Sequence, residues 1–230
     1  MKTIGLLGGM SWESTQIYYQ LLNRGIKERL GGLHSAKIIL YSVDFAEIEE
    51  LQHQGRWQET GAILAAAGRS VEMAGADFLL ICTNTMHKVA DQVSAAITTP
   101  LLHLADATAE EITRQGISRV GLLGTRFTME EDFYTGRLQT HGLEVVIPEQ
   151  SERELVHRVI YDELCLGQVK DVSRRNYADI IDGLVANGAQ GIILGCTEIA
   201  MLVKPEDAAV PLFDTTAIHV QAAIEMALAD

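Results

Sequence analysis

Gly75-Ala76-Asp77-Phe78-Leu79-Leu80-Ile81-Cys82-Thr83 is echoed by Gly188-Ala189-Gln190-Gly191-Ile192-Ile193-Leu194-Gly195-Cys196, and the shift from Gly75 to Gly188 is 113 positions. A second echo lies upstream of each. Thr3-Ile4-Gly5-Leu6-Leu7-Gly8-Gly9 recurs as Arg119-Val120-Gly121-Leu122-Leu123-Gly124-Thr125, with Ile4 matching Val120 at a shift of 116. Two similar offsets from separate motifs indicate duplicated halves. In this register Thr83, rather than its neighbour Cys82, matches Cys196. Two proton-bearing groups related in this way suit chemistry on both faces of one carbon.

Around the echoes, short apolar runs alternate with helical stretches. Ile4–Leu7, Lys37–Tyr41, Phe78–Ile81, Val120–Leu123, Leu143–Ile147 and Ile192–Leu194 read as strands, with Pro100–Leu104 and Pro211–Phe213 as shorter candidates. Helices are expected near 14–30, 55–74, 85–97, 105–115, 129–141, 151–165, 171–187, 198–203 and 215–229. Gly75 and Gly188 stand where helix C-caps belong. This alternation predicts α/β architecture with mostly parallel sheets and helices on both faces. Combined with the duplication, it predicts two pseudosymmetric, doubly wound, Rossmann-like domains. The first is expected over 1–104 plus 208–230 and the second over 105–207, with the active site in a cleft between them.

Composition narrows the function. The chain has 230 residues, is 47% hydrophobic and carries a net charge of −13. That charge argues against nucleic-acid binding, which needs a basic face for phosphates. No stretch approaches the roughly 18–20 uninterrupted apolar residues of a transmembrane helix, and Met1-Lys2-Thr3-Ile4-Gly5 runs straight into a strand with no signal-peptide pattern. Three widely spaced cysteines fit neither a disulfide framework nor a zinc site. These features lead us to expect a soluble cytoplasmic protein with reduced thiols and no membrane partner. The seven histidines show no metal-ligand spacing, and Gly5-Leu6-Leu7-Gly8-Gly9 matches no dinucleotide or phosphate-loop fingerprint.

Both echoes end in a strand leading directly into a helix start, and ligands of open α/β sheets bind at the carboxyl ends of strands. There Cys196 is expected to have its thiol pKa drawn below ~8.5. A buried structural thiol is the plain alternative. Thr83 reads either as a helix N-cap or as a proton donor or relay. Its hydroxyl is a poor base: bulk water ionises near ~15.7 against ~8.5 for a thiol, a gap of roughly 10 kcal/mol. Cys82 is the rival to Thr83, one residue earlier and so on the opposite side of a strand.

Gly8-Gly9-Met10, Asn84-Thr85-Met86-His87 and Gly195-Cys196-Thr197-Glu198 together resemble the aspartate/glutamate racemase family. The resemblance spans the whole chain. It implies a cofactor-independent amino-acid racemase with no pyridoxal phosphate and no metal, acting on a small-molecule amino acid. Family members usually carry one catalytic cysteine before the Asn-Thr pair and another in Gly-Cys-Thr. This chain has Thr83 at the first position and Cys196 at the second, as in the broad-specificity and L-aspartate/glutamate-specific branch. The resemblance implies that Cys196 acts on the L-enantiomer and Thr83 on the opposite face.

Substrate binding by the same resemblance falls to Met10, Asn84, Thr85, Thr125, Thr128, Cys165, Thr197 and Glu198. Of these, Glu198 either meets the ammonium group or orients Cys196, and the bland role of the others is turn formation or capping. His87 reads as a capping or supporting residue. Aspartate-type relatives carry a lysine at what looks like Cys165, and an arginine where this chain has Ala46-Glu47-Ile48-Glu49. Loss of both cations points to a broad substrate range. Homodimers are common in the family. Two rival readings remain: an arylmalonate-type decarboxylase, for which one cysteine suffices, and a non-catalytic amino-acid sensor.

Overall fold

The computed structural model describes residues 1–229 and resolves the chain into two compact units. The first unit comprises Met1–Leu104 with His219–Asp230, and the second is Ala105–Ile218.

In the first unit, strands β1 (Ile4–Gly8), β2 (Ile38–Ser42) and β3 (Phe78–Ile81) form an all-parallel sheet in the order β2-β1-β3. Helices α1 (Trp12–Leu30), α2 (Phe45–His53) and α3 (Trp57–Met73) supply the crossovers. After β3 come a short 3₁₀ helix, Thr85–Val89, and α4 (Ala90–Ser94). Leu79 also bridges to Leu101, a single-residue vestige of a fourth strand.

The second unit opens with α5 (Leu104–Arg114), whose first residue still belongs to the first unit. Strand β4 (Arg119–Gly124) is followed by α6 (Arg126–Glu130), α7 (Asp132–Thr140) and β5 (Glu144–Val146). Then come α8 (Gln150–Asp162), a 3₁₀ turn at Leu164–Leu166 and α9 (Asp171–Ala186). Strand β6 (Ile192–Gly195), α10 (Ile199–Leu202), strand β7 (Leu212–Asp214) and α11 (Thr215–Leu228) complete the chain. The sheet is parallel throughout, in the order β5-β4-β6-β7. Its first three strands repeat the order β2-β1-β3. The Pro211 carbonyl accepts from Ile192 N–H at 2.9 Å, as the Pro100 carbonyl does from Leu79 N–H at 2.8 Å.

The first unit is finished by the helix that follows the second unit's last strand. From His219 onward α11 joins the first unit, where Val220, Ala223, Ile224 and Ala227 pack with Tyr18, Leu22 and Ile26 of α1 and with Ile4, Leu6, Phe78 and Leu80 of the sheet. The other face of that sheet packs Leu7, Leu79 and Ile81 against Leu64, Val71, Met86 and Val93. The boundary expected at 207/208 therefore moves to 218/219. The reason is that Leu212–Asp214 pairs along β6 and cannot leave the second sheet.

Local chemistry sets the element ends. Gly75 and Gly188 take φ +99° and +90°, the left-handed region that only glycine enters without strain. The expected helix over 129–141 breaks at Glu131, whose backbone is extended (φ −105°, ψ 146°). Helix α2 has no counterpart in the sequence reading. Asp44 caps it by accepting from Ala46 N–H at 3.1 Å, and Ile48, Leu51 and Gln52 are its buried residues.

Candidate active site

The two repeat motifs stand at the carboxyl ends of β3 and β6. In the second unit, Gly195 ends the strand where β4 and β6 crowd together. A Cβ on Gly195 would lie 2.8 Å from the Leu123 carbonyl oxygen, so no side chain fits before Cys196. The Cys196 thiol donates to Glu198 Oε2 at 2.9 Å. Thr197, one residue between them, is buried and its hydroxyl accepts from the Thr216 hydroxyl at 3.0 Å. Thr215 donates to the Leu194 carbonyl at 2.9 Å, tying the start of α11 to the end of β6. Asp214 Oδ1 caps α11 by accepting from Thr216 and Ala217 N–H. Burial raises the Asp214 pKa despite those two bonds.

The expectation of a lowered Cys196 pKa is overturned. The residue keeps partial exposure, but its thiol is held well above the usual range. Burial is the largest cause, followed by the Glu198 carboxylate and the nearby Cys165 thiol. The helix counted on to favour a thiolate, α10, is a single turn of four residues, too short for a useful macrodipole. At rest the site holds a thiol hydrogen-bonded to a carboxylate.

Cys165 lies in the 3₁₀ turn after α8, half-buried and within electrostatic reach of Cys196. Beside it Glu163 accepts from the Ser173 hydroxyl at 2.6 Å and pairs with Lys170 at 3.3 Å. Tyr177 donates to the Val156 carbonyl at 3.0 Å, and its phenol pKa is raised first by burial and then by Cys196, Glu163 and Cys165. The structure thus brings Cys196, Glu198, Thr197 and Cys165 together. Thr125 and Thr128 do the humbler work: both are buried, and the Thr125 hydroxyl caps α6 by accepting from Thr128 N–H at 3.4 Å.

In the first unit, Cys82 is fully buried in the core with Phe78, Leu80 and Tyr18, and burial drives its thiol pKa far up. Its side chain is therefore sequestered from the strand end where Thr83, half-buried, stands. Asn84 and Thr85 are buried around the start of the 3₁₀ helix, with Asn84 at the cap position. Met10 is 4% exposed and packs in the core with Leu7, Ile48, Leu64 and Met86. The expected α-carboxylate site at helix N-termini has little helix to draw on, since the elements after the two motifs are five and four residues long.

Sequence reading misses several participants. Asp214-Thr215-Thr216 carries the signal of a helix start, and the sequence places a helix from 215 without tying these residues to the end of β6. Tyr18 and His219, 201 positions apart and joined by a 2.9 Å hydrogen bond, carry no local signal at all. Among the described residues, no group of three or more His, Cys, Asp or Glu side chains is placed to hold a metal, and no helix is long and apolar enough to cross a membrane.

The fold and its motifs define a two-unit α/β isomerase of the racemase class. The family model for Asp/Glu/Hydantoin racemase matches residues 7–223, and the chain belongs to that family. The chain is similar to a candidate Asp/Glu racemase from Yersinia pestis, with 58% identity, full coverage of both chains and a TM-score of 0.94. It is also similar to an aspartate racemase homologue from Pyrococcus horikoshii OT3, at 37% identity over 99% of each chain and a TM-score of 0.86. The broad specificity amino-acid racemase RacX of Bacillus subtilis (strain 168) is 22% identical over 98% of both chains.

Proposed function

We propose that this chain is a pyridoxal-phosphate-independent amino-acid racemase in which Cys196 works on the L-enantiomer and Thr83 on the opposite face. The observation carrying this reading is the Cys196–Glu198 pair, a thiol 2.9 Å from a carboxylate at the carboxyl end of β6. Because burial and Glu198 both favour the thiol, the base is the pair. The thiol proton passes to Glu198 as the sulfur takes the α-proton of the L-substrate. Thr83 Oγ–H then delivers a proton to the other face of the carbanion and is refilled from solvent, because a free alkoxide lies roughly 10 kcal/mol out of reach of a thiolate. In reverse, the same groups exchange roles. The enantiomers have equal free energy, so the two directions share one kcat/KM and differ only in kcat and KM by a common factor.

Cys165 stands where aspartate-type relatives carry a lysine. A charged hydrogen bond is worth about 1.5–3 kcal/mol, so its loss supports a range extending past aspartate and glutamate to uncharged side chains. The name of the Bacillus subtilis relative agrees with that range. Asn84, Thr85, Thr197 and Glu198 are the groups assigned to the substrate backbone. A homodimer and a cytoplasmic location belong to the same reading, tested by light scattering and by cell fractionation.

The test is loss of the α-proton signal by ¹H NMR in D₂O, with a panel of L- and D-amino acids and no cofactor added. Exchange that disappears in Cys196→Ala supports the reading, and the panel ranks side chains. A protein that exchanges no amino acid but releases CO₂ from substituted malonates is a decarboxylase instead, a reading kept alive by the single thiol at the two strand ends.

A further inference from the structure

We infer that His87 is the positioning residue for Thr83, a role that rests on the racemase reading above. His87 is 3% exposed and sits in the 3₁₀ helix Thr85–Val89. Its Nε2 lies 3.2 Å from the Leu104 backbone nitrogen, and its Nδ1 lies 2.8 Å from the Thr83 carbonyl oxygen. A backbone N–H can only donate, so Nε2 is the accepting nitrogen. Nδ1 therefore carries the proton and donates it to Thr83. One imidazole fastens the residue at the end of β3 to the first residue of α5.

Two further imidazoles flank the ring. His103 meets it edge-on with centroids 4.5 Å apart, and His219 meets it at 6.0 Å. His219 is fixed in its turn, with Nε2 2.9 Å from the Leu102 carbonyl and Nδ1 2.9 Å from the Tyr18 hydroxyl. The carbonyl leaves Nε2 of His219 as donor and Nδ1 as acceptor for Tyr18. Burial keeps that ring neutral, with its pKa pulled down to about 3.

The matching place in the second unit shows why the first needs such a clamp. At the shift of 113, Ala200 stands opposite His87 and Glu198 opposite Thr85. There the Cys196 carbonyl accepts from the Ile199 backbone N–H at 3.1 Å, and the thiol is aimed by its carboxylate. Thr83 has no carboxylate two residues on. Its hydroxyl is directed through its backbone, and His87 holds that backbone.

The experiment separates inversion from exchange with retention. An L-substrate in D₂O, the best amino acid of the wild-type panel, gains deuterium at Cα through Cys196 alone and becomes D only through Thr83. His87→Phe keeps a ring and removes both hydrogen bonds. His87→Asn keeps a donor at the Nδ1 position, and His87→Gln keeps a partner for Leu104 at the Nε2 position. Misplacing a reacting group by an ångström costs about 100-fold. We expect His87→Phe to slow inversion about 10- to 100-fold while retention exchange falls less than about 3-fold. His87→Asn should restore inversion to within a few-fold and His87→Gln should not. If Phe fails to fold, the Asn and Gln variants decide alone. Inversion and exchange falling in parallel, neither falling, or Gln rescuing as well as Asn would overturn the inference. A wild type with no exchange at all is a different result: it removes the racemase reading itself.

Discussion

The two sheets are alike at one edge and unlike at the other. At the amino ends, Asp77 and Gln190 fill matching positions and do the same job. Asp77 N–H donates to the Thr3 carbonyl and Gln190 N–H to the Arg119 carbonyl, both at 2.8 Å. Their side chains accept in return, Asp77 Oδ2 from Thr3 N–H at 2.6 Å and Gln190 Oε1 from Arg119 N–H at 3.1 Å. At the carboxyl ends, Thr83, whose carbonyl lies 2.8 Å from His87 Nδ1, corresponds in the alignment to Cys196, whose thiol donates to Glu198. The two halves share the parts that build a parallel sheet and differ at the strand ends. The divergence is chemical: one end carries a thiol hydrogen-bonded to a carboxylate, and the other a hydroxyl.

The sharpest break in that comparison is Cys196→Ser, which makes the two ends alike. General acid–base groups contribute about 10²–10⁴-fold, so kcat for racemisation should fall by about that factor. Chiral chromatography of the product checks it. Next comes Glu198→Gln, which keeps the shape and removes the charge. Loss of the carboxylate as proton acceptor should cost about 10–100-fold in kcat, the equivalent of about 1.5–3 kcal/mol. The thiol pKa should move down, because the Glu198 charge is among the causes that raise it. Thiolate absorbance against pH would show the midpoint at lower pH in the variant. A midpoint that stays put would mean burial alone sets it.

A smaller contrast concerns acid. The first unit buries His219 neutral, in contact with Tyr18 and near His87, with a pKa of about 3. Unfolded, a histidine titrates near ~6.5, so between those values the unfolded chain binds the extra proton. Stability should therefore fall as pH drops below ~6.5, by up to about 1.36 kcal/mol per pH unit for this one group. Hydrogen exchange at pH 5 should expose α1 and α11 earlier than at pH 7, and His219→Gln should reduce that difference. The smallest effect is expected from Asp77→Asn, which gives the first unit the amide of the second. With an acceptor retained, the unfolding free energy should change by less than about 0.5 kcal/mol.

Much of the fold was legible because strands here are short apolar runs closed by turn residues. Phe78–Ile81 and Ile192–Gly195 sit where alternation and the Gly75 and Gly188 caps put them. Helix α2 was not, because four acidic or amide residues, Glu47, Glu49, Glu50 and Gln52, interrupt its few apolar positions, and only a packed neighbour, Met86, 3.7 Å from the Gln52 amide, reveals its buried face. Family motifs gave the Gly-Cys-Thr-Glu segment, yet the direction of the Cys196 shift depends on enclosure by residues far along the chain. The link from His87 to Leu104 is likewise a product of folding, spanning 17 positions with no periodicity to announce it.

The passage of α11 into the first unit has a consequence for biosynthesis. The strands of the first sheet are translated within the first 81 residues, but the helix that covers Tyr18, Leu22 and Ile26 follows every strand of the second sheet. Even Lys2 waits, its N–H donating to the Ala227 carbonyl at 2.8 Å. Chains emerge from the ribosome at about 5–20 residues per second and their domains generally close in order. In this chain the first unit to emerge is sealed only after the whole second unit has been translated, and a nascent chain that stops before residue 219 would leave the first unit's apolar flank open to chaperones.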